Sequence, residues 1–225
     1  MANLSFTEVL GPVMVGPSSS HTAGAAKLGL IASMVNNNDF DKVDIILHGS
    51  FAQTYRGHGT DKAIIGGILG MKPDDINIRN SISIAAEKEL VINITEGDLG
   101  YYHPNTAKLI FYNKDGSTHT IIGSSTGGGS IQIVEIDSFK ISFTGEYPTL
   151  IINHMDRKGI ISEITTVLAD NNINVATMNV SRLQKNKEAS IIIESDSTIP
   201  QNVSERLKTI DDVKSVIVIN IGAEI

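Results

Sequence analysis

The sequence Gly16-Pro17-Ser18-Ser19-Ser20-His21-Thr22-Ala23-Gly24 organises the N-terminal half of the chain. An amphipathic run follows at residues 25–35, so these polar residues are predicted to form a loop that leads into a helix. Either Ser20 or Thr22 can cap that helix, because hydroxyl oxygens accept hydrogen bonds from the unpaired N–H groups of a helix start. The same N–H groups bind anions. Three serines and His21 are more than a cap requires, so a structural cap and an anion site both stay open.

The composition is that of a folded protein without nucleic-acid-binding or membrane-spanning features. The chain has 225 residues, 41% hydrophobic and 19% charged, which allows one large or two small domains. A net charge of -7 without a basic block disfavours binding to nucleic acid. No apolar stretch reaches the roughly 18 residues of a membrane span. The first ten residues lack the pattern of a secretory signal, so a cytoplasmic location is expected.

Several common catalytic motifs are absent or lie in the wrong context. The sequence has no cysteine, which excludes disulfides, thiolate nucleophiles and Cys-ligated metal or iron–sulfur sites within it. No H-E-x-x-H spacing is present, and no metal site is predicted. Residues 123–127 match G-x-S-x-G, but a nucleophile elbow needs a following helix. Gly128, Gly129 and a predicted strand follow instead, which argues against a self-sufficient hydrolase.

The N-terminal segment is predicted to be an α+β domain with helices early and a mixed or antiparallel sheet late. Residues 49–59 are polar and glycine-rich, and they are predicted to form a loop. Thr60 or Asp61 then caps a second helix at residues 62–69, which ends at Gly70. A short helix is expected at residues 81–88 and another loop at residues 124–129. The predicted strands are residues 43–48, 90–95, 107–113, 117–123, 131–136 and 139–143.

A second pattern begins after a predicted linker at residues 145–148. Its elements follow the order βαββαβ, which is the ferredoxin-like arrangement. We therefore predict two domains, at residues 1–145 and 148–225. The predicted strands of the second domain are residues 149–153, 175–182, 189–195 and 213–221, and its helices are residues 160–171 and 203–210.

This C-terminal pattern resembles the ACT domain, a small ligand-sensing module. The resemblance rests on Asp156-Arg157-Lys158-Gly159-Ile160-Ile161 and on Asn172-Ile173-Asn174-Val175, with Lys158 where the family often has Pro. It implies an amino-acid effector near Gly159, which lets a backbone approach a ligand closely beside a helix start that favours a carboxylate. The alternative is that Gly159 only makes a tight turn and Asn174 only caps an edge. The implied effector residues are Asp156, Lys158, Gly159, Ile160, Asn174 and Val175.

The whole chain resembles the β chains of iron–sulfur-dependent L-serine dehydratases. The residues that carry this resemblance are the serine–histidine stretch ending at Thr22 and the sequence His58-Gly59-Thr60-Asp61, followed by an ACT-like domain. The resemblance implies conversion of L-serine to pyruvate and ammonia, with a [4Fe-4S] cluster on a separate α chain. It also implies a homodimer through the ACT domain. The cysteine-free sequence is consistent with a cluster held by the partner.

The reaction needs a base for the α-proton and a Lewis acid for the departing hydroxyl, because hydroxide is a poor leaving group. His21 and His58 are the candidate proton-handling groups, since imidazole titrates near neutrality. Asp61 has two alternative roles: it orients an imidazole, or it caps the second helix. Its position at the start of that helix favours capping. The alternative is a non-catalytic protein that senses amino acids and regulates another protein. The candidate substrate-binding residues are Ser18, Ser19, Ser20, Thr22, Gly59 and Thr60.

Overall fold

The computed structural model describes residues 16–37 and 39–221. The chain divides into two compact units, Met1–Asp137 and Ser138–Ile225, a division that lies ahead of the linker predicted from the sequence. The prediction of a missing secretory signal concerns residues 1–10, which lie outside the described residues. No helix within the described ranges is long and apolar enough to cross a membrane.

The helices of the first unit lie mostly in its N-terminal part. A π-helical turn, Ser19–Ala23, runs directly into α1, and a 3-10 turn, Ile76–Asn80, precedes α4. The predicted end of the second helix is confirmed, since Gly70 follows α3 with a φ of 89°. The short helix expected at residues 81–88 is α4. The helices are α1 (Gly24–Asn36), α2 (Gly49–His58), α3 (Thr60–Ile68) and α4 (Ser81–Glu87).

The sheet of the first unit is mixed, which confirms the predicted α+β class. Its strands lie in the order β2-β1-β3-β4-β5. β1 and β2 are parallel, and the other neighbouring pairs are antiparallel. The parallel pair needs a long crossover connection, and α2, α3 and α4 provide it. The strands are β1 (Phe40–Leu47), β2 (Val91–Glu96), β3 (Thr106–Asn113), β4 (Thr118–Gly127) and β5 (Ser130–Ile136).

Helices α1 and α3 pack backbone against backbone through two glycines. A Cβ atom on Gly67 would lie 2.0 Å from the carbonyl oxygen of Ala26, and one on Gly29 would lie 2.2 Å from that of Ile64. Real Cβ atoms do not approach this closely, so only glycine fits at either position. This contact fixes the spacing between the turn that precedes α1 and the residues that precede α3.

Two loops predicted from the sequence are wrong. Residues 49–58 form helix α2, which buries Phe51 alone and so lacks the apolar stripe that would identify a helix. Gly49 and Gly59 have φ values of 58° and 67° and bracket this helix instead of marking a loop. The loop predicted at residues 124–129 is short, because β4 continues to Gly127.

The packing of α1 depends on small residues. A purely apolar stripe along this helix would bury Met34, but this residue is 38% exposed. The helix is buried mainly through small residues that allow close approach, including Ala25, Ala26 and Ala32. The face of α1 that is buried in the core is therefore determined by the small size of its side chains as well as by their hydrophobicity.

The second unit contains the predicted βαββαβ arrangement, and the ferredoxin-like prediction is confirmed. Its sheet has the order β10-β7-β9-β8, with antiparallel neighbours throughout. Leu150, Ile152, Ile191 and Ile193 face the helices and form the core with Ile164. The elements are β6 (Phe139–Phe143), β7 (Thr149–Met155), α5 (Ile160–Asp170), β8 (Val175–Arg182), β9 (Glu188–Ser195), α6 (Gln201–Lys208) and β10 (Val213–Ile219).

Candidate functional site

The serine-rich stretch is a capped π-helical turn, not an irregular loop. Ser18 is the capping residue, and its Oγ accepts a hydrogen bond of 3.1 Å from the backbone N–H of His21. The prediction that Ser20 or Thr22 caps the helix is therefore wrong, because helical structure begins ahead of the apolar run. The turn leaves Ser20 and His21 half-buried.

The turn holds the His21 ring by both of its nitrogens. Nδ1 lies 3.2 Å from Ser20 Oγ, and Nε2 lies 3.1 Å from Ser50 Oγ on α2. A hydroxyl can donate or accept, so these partners suit a neutral imidazole in either tautomer. Phe51 packs edge-on against the ring, with 5.3 Å between the ring centroids. His21 is thus fixed in position by its own turn and by α2.

His58 ends α2 and lies against His21. Their ring centroids are 4.9 Å apart, and the hydroxyl of Thr22 donates a 3.2 Å hydrogen bond to the carbonyl oxygen of His58. The Nδ1 atom of His58 is buried and has no hydrogen-bond partner among the described residues. The structure therefore brings the two sequence motifs together, and it leaves one imidazole nitrogen unused by the fold.

The environment lowers the pKa of His21 below its ordinary value of 6.5. Burial is the larger cause, since removal from water disfavours the charged imidazolium, and the charge of a protonated His58 adds to it. His21 is consequently neutral at pH 7 and can accept a proton.

This shift predicts the outcome of an NMR titration of the histidine ring protons in the isolated chain. We expect His21 to titrate below pH 6.5, and its pKa to rise toward that value in His58→Gln because the neighbouring charge is removed. His103→Gln is the matched control, since His103 is exposed. A His21 pKa at or above 6.5 in the wild-type chain would contradict this account of the site.

The start of α3 differs from the sequence prediction. Its capping residue is Gly59, so neither Thr60 nor Asp61 caps it. Gly59 has a left-handed conformation that joins α2 directly to α3, which leaves no extended residue to supply a side-chain cap. The Asp61 carboxylate accepts a 2.8 Å hydrogen bond from the N–H of Lys62, and it makes no hydrogen bond with an imidazole of the described residues. The Thr60 hydroxyl is buried without a partner in the described part of the chain.

A cleft of about 270 Å³ opens beside His58 and Thr22. Three cationic residues, Arg56, Lys62 and Arg79, line it together with Gly16, Pro17, Gly57, Gly59 and Ile78. Sequence reasoning missed these cations and also Ser50. Arg56 lies two positions before His58, so the sequence motif around His58 could have identified it. Arg79 lies in the 3-10 turn, far from both motifs in the sequence, and no local pattern predicts that it reaches the cleft.

Family models and individual relatives match nearly the whole chain, and they indicate the same family. Residues 5–135 match the family described as Serine dehydratase beta chain, and residues 149–212 match the ACT domain family. The chain is 39% identical to the L-serine dehydratase β chain of Peptoniphilus asaccharolyticus, covering 92% of this chain and 94% of that one. It is 38% identical to the probable L-serine dehydratase β chain of Bacillus subtilis, covering 94% and 96%.

The chain belongs to the L-serine dehydratase β-chain family. It is also 30% identical to the D-3-phosphoglycerate dehydrogenase of Methanocaldococcus jannaschii, covering 88% of this chain and 37% of that longer protein. Similar sequences therefore occur in proteins with different names, so the role of individual residues has to be argued from the site and not from the fold.

The ACT domain of this β-chain family member contains the predicted effector loop between β7 and α5. Gly159 caps α5 with a φ of 88°, a conformation that accounts for glycine there. Lys158 is exposed and Ile160 is buried. Arg157 makes a bidentate pair with Glu163 and bonds to Asp212, so the loop is anchored to α5 and to the start of β10.

Other predicted effector residues of the ACT domain are engaged within the second unit. Asp156 accepts hydrogen bonds from the N–H of Asn186 and from Arg182, which lower the pKa of its carboxyl in that order of importance. Asn174 donates to Asp196, and Val175 begins β8. The structure thus groups Asp156 to Gly159 in one loop directly ahead of Ile160, the first residue of α5. Asn174 makes its side-chain hydrogen bond with Asp196 and not with this loop.

Proposed function

We propose that this chain is the β subunit of an L-serine dehydratase and supplies proton-handling and substrate-binding residues for the conversion of L-serine to pyruvate and ammonia. The observation that carries the proposal is the contact between His21 and His58, in which the buried His58 Nδ1 has no hydrogen-bond partner among the described residues. An unpaired buried polar atom costs about 1–3 kcal/mol, and such a cost is retained at functional sites.

The two histidines have different roles in this proposal. His58 takes the α-proton, because it lines the cleft and its ring is not committed to another group. His21 is held between Ser20 and Ser50, where its ring packs against His58 and remains neutral at rest. Asp61 contributes through its negative charge at the start of α3.

The substrate lies, in this proposal, between the π-helical turn and the start of α3. The turn provides hydroxyl groups on Ser18, Ser19, Ser20 and Thr22, which can bind polar atoms of an amino acid. Gly59 lines the cleft, and the neighbouring Thr60 hydroxyl is buried without a hydrogen-bond partner among the described residues.

The residues of this chain do not fit a [4Fe-4S] cluster. Such a cluster is held by cysteine thiolates, and the sequence has none. The described residues also contain no group of three or more His, Asp or Glu side chains that could hold a metal ion. We therefore assign the cluster, and the polarisation of the departing hydroxyl, to an α-chain partner.

We further propose that the ACT domain regulates the enzyme and forms a cytoplasmic homodimer. The glycine loop at the start of α5 offers a small amino acid an approach to the backbone. β8 and β10 are the two edges of the sheet, and β8 exposes Met178 and Val180. An exposed apolar edge strand favours pairing with a second copy.

Reconstitution tests the proposed function. Mixing the purified chain with a cluster-bearing α chain under anaerobic conditions should give pyruvate from L-serine, whereas the chain alone should give none. The α chain alone and a heat-denatured β chain are the controls. The opposite result is a chain that yields no turnover with any α chain but binds L-serine in calorimetry, with binding lost in Gly159→Val. That result would favour the amino-acid sensor.

A further inference from the structure

Three cationic side chains line the cleft beside His58. Arg56 lies in the last turn of α2, Lys62 in the first turn of α3, and Arg79 near the end of the 3-10 turn. These segments are separate in the sequence, yet their side chains converge on one cleft of about 270 Å³. No Asp or Glu belongs to the lining found among the described residues.

None of the three cations forms an ion pair with another residue in the described ranges. The Nε of Arg56 donates to the hydroxyl of its neighbour Tyr55, and the guanidinium lies over the same ring. The carboxylate of Asp61 is engaged by the N–H of Lys62. The cleft therefore concentrates positive charge that the fold itself leaves uncompensated, next to the positive end of α3.

The hydroxyl groups of the turn are less available for an anion than the sequence suggested. Ser18 and Ser20 are engaged with His21, and Thr22 donates to the carbonyl of His58. Arginine and lysine bind carboxylates through charge-assisted hydrogen bonds that are about twice as strong as neutral ones. The three cations, which make no ion pair in the described ranges, therefore have the capacity to hold a carboxylate.

We infer that Arg56, Lys62 and Arg79 form the subsite for the α-carboxylate of the substrate. This inference rests on the proposed function and deepens it. Because His58 lines the same cleft, a carboxylate held by these cations places the adjacent α-carbon next to the proposed base. Ligand pockets commonly measure about 300–1,000 Å³, so a cleft near the lower limit suits a small amino acid.

The first test measures steady-state kinetics of the reconstituted enzyme. The variants Arg56→Gln, Lys62→Gln and Arg79→Gln should each raise the KM for L-serine by about 10- to 100-fold, with a smaller change in kcat. Lys88→Gln is the matched control, because Lys88 is an exposed cation that does not line the cleft. KM values in all three variants that match the control would overturn the subsite.

The second readout separates recognition of a carboxylate from a general loss of structure. 3-Hydroxypropionate carries the carboxylate, and L-serinamide lacks it. The variants should weaken inhibition by 3-hydroxypropionate and leave inhibition by L-serinamide unchanged. Equal losses for both inhibitors would overturn the assignment.

An inactive wild-type reconstitution would refute the proposed function but not the carboxylate subsite. A direct binding measurement tests the subsite in that case. Calorimetric titration of the full chain with 3-hydroxypropionate should then give binding that the Arg79→Gln variant loses. Absence of binding, or equal binding by the variant, would contradict the subsite. Binding of inorganic phosphate without binding of 3-hydroxypropionate would also overturn a carboxylate site.

Discussion

Replacing His58 by alanine should lower kcat for serine deamination by about 10²- to 10⁴-fold in the reconstituted enzyme. The expected loss is large because His58 lines the cleft and its ring makes no hydrogen bond with the described residues. The ring of His21 is committed to Ser20 and Ser50, so it cannot readily take over the role. Pyruvate formation under saturating L-serine measures the effect.

His119→Ala is the matched control for this substitution. His119 is a histidine of β4 that pairs with Asp137, and both side chains are about one-third exposed. Loss of a partly exposed ion pair costs little, and His119 does not line the cleft, so this variant should retain nearly full activity. Size-exclusion chromatography of each variant with the α chain checks that the complex still forms. Full activity of His58→Ala in an intact complex would refute the proposed role of His58.

Local sequence patterns predicted much of the fold, because the relevant signals are short-range. The turn at Asp115 and Gly116 lies between β3 and β4, as an Asp-Gly pair between strand-like runs predicts. The second unit was predicted with similar success, since its helices have apolar stripes and its core strands are nearly continuous runs of β-branched residues. The quoted family motifs also identified His21 and His58, which meet in the structure.

The remaining parts of the site depend on tertiary contacts that carry no local signal. Helix α2 buries only Phe51, so its polar sequence looks like a loop until α3 and the π-helical turn pack against it. Ser50 gains its role from its contact with His21, which is 29 positions away in the chain. Arg79 similarly joins the cleft through the position of the 3-10 turn. Patterns of short period do not specify such pairings.

The spacing of the two histidines depends on how closely α1 and α3 approach. His21 precedes α1 in the continuous π-helical turn, and His58 precedes α3 by one glycine. The two helices touch through Gly29 and Gly67. The start of α1 also lies against β4, because a Cβ on Gly24 would be 2.0 Å from the Ser125 hydroxyl. Glycines distant from the imidazoles therefore determine where those imidazoles lie.

Gly67→Ala should consequently lower both stability and activity. The added Cβ would lie 2.0 Å from the Ala26 carbonyl oxygen and 2.6 Å from the Leu30 nitrogen, both of which are backbone atoms that cannot turn aside. Overpacking of this kind costs about 1–3 kcal/mol in the free energy of unfolding, which urea denaturation measures. If the helices separate by about 1 Å, kcat should fall by roughly 10²-fold.

Gly66→Ala separates this effect from the general effect of placing alanine in a helix. Both substitutions occur in α3 and gain up to about 1 kcal/mol of helix propensity. The added Cβ of Gly66→Ala would instead meet a side-chain atom, Cγ1 of Ile78, at 2.9 Å, and a side chain can adjust where a backbone carbonyl cannot. We therefore expect Gly66→Ala to be markedly more stable and more active than Gly67→Ala. Equal behaviour of the two variants would show that the approach of α1 to α3 does not control the His21–His58 spacing, because only Gly67 faces the α1 backbone.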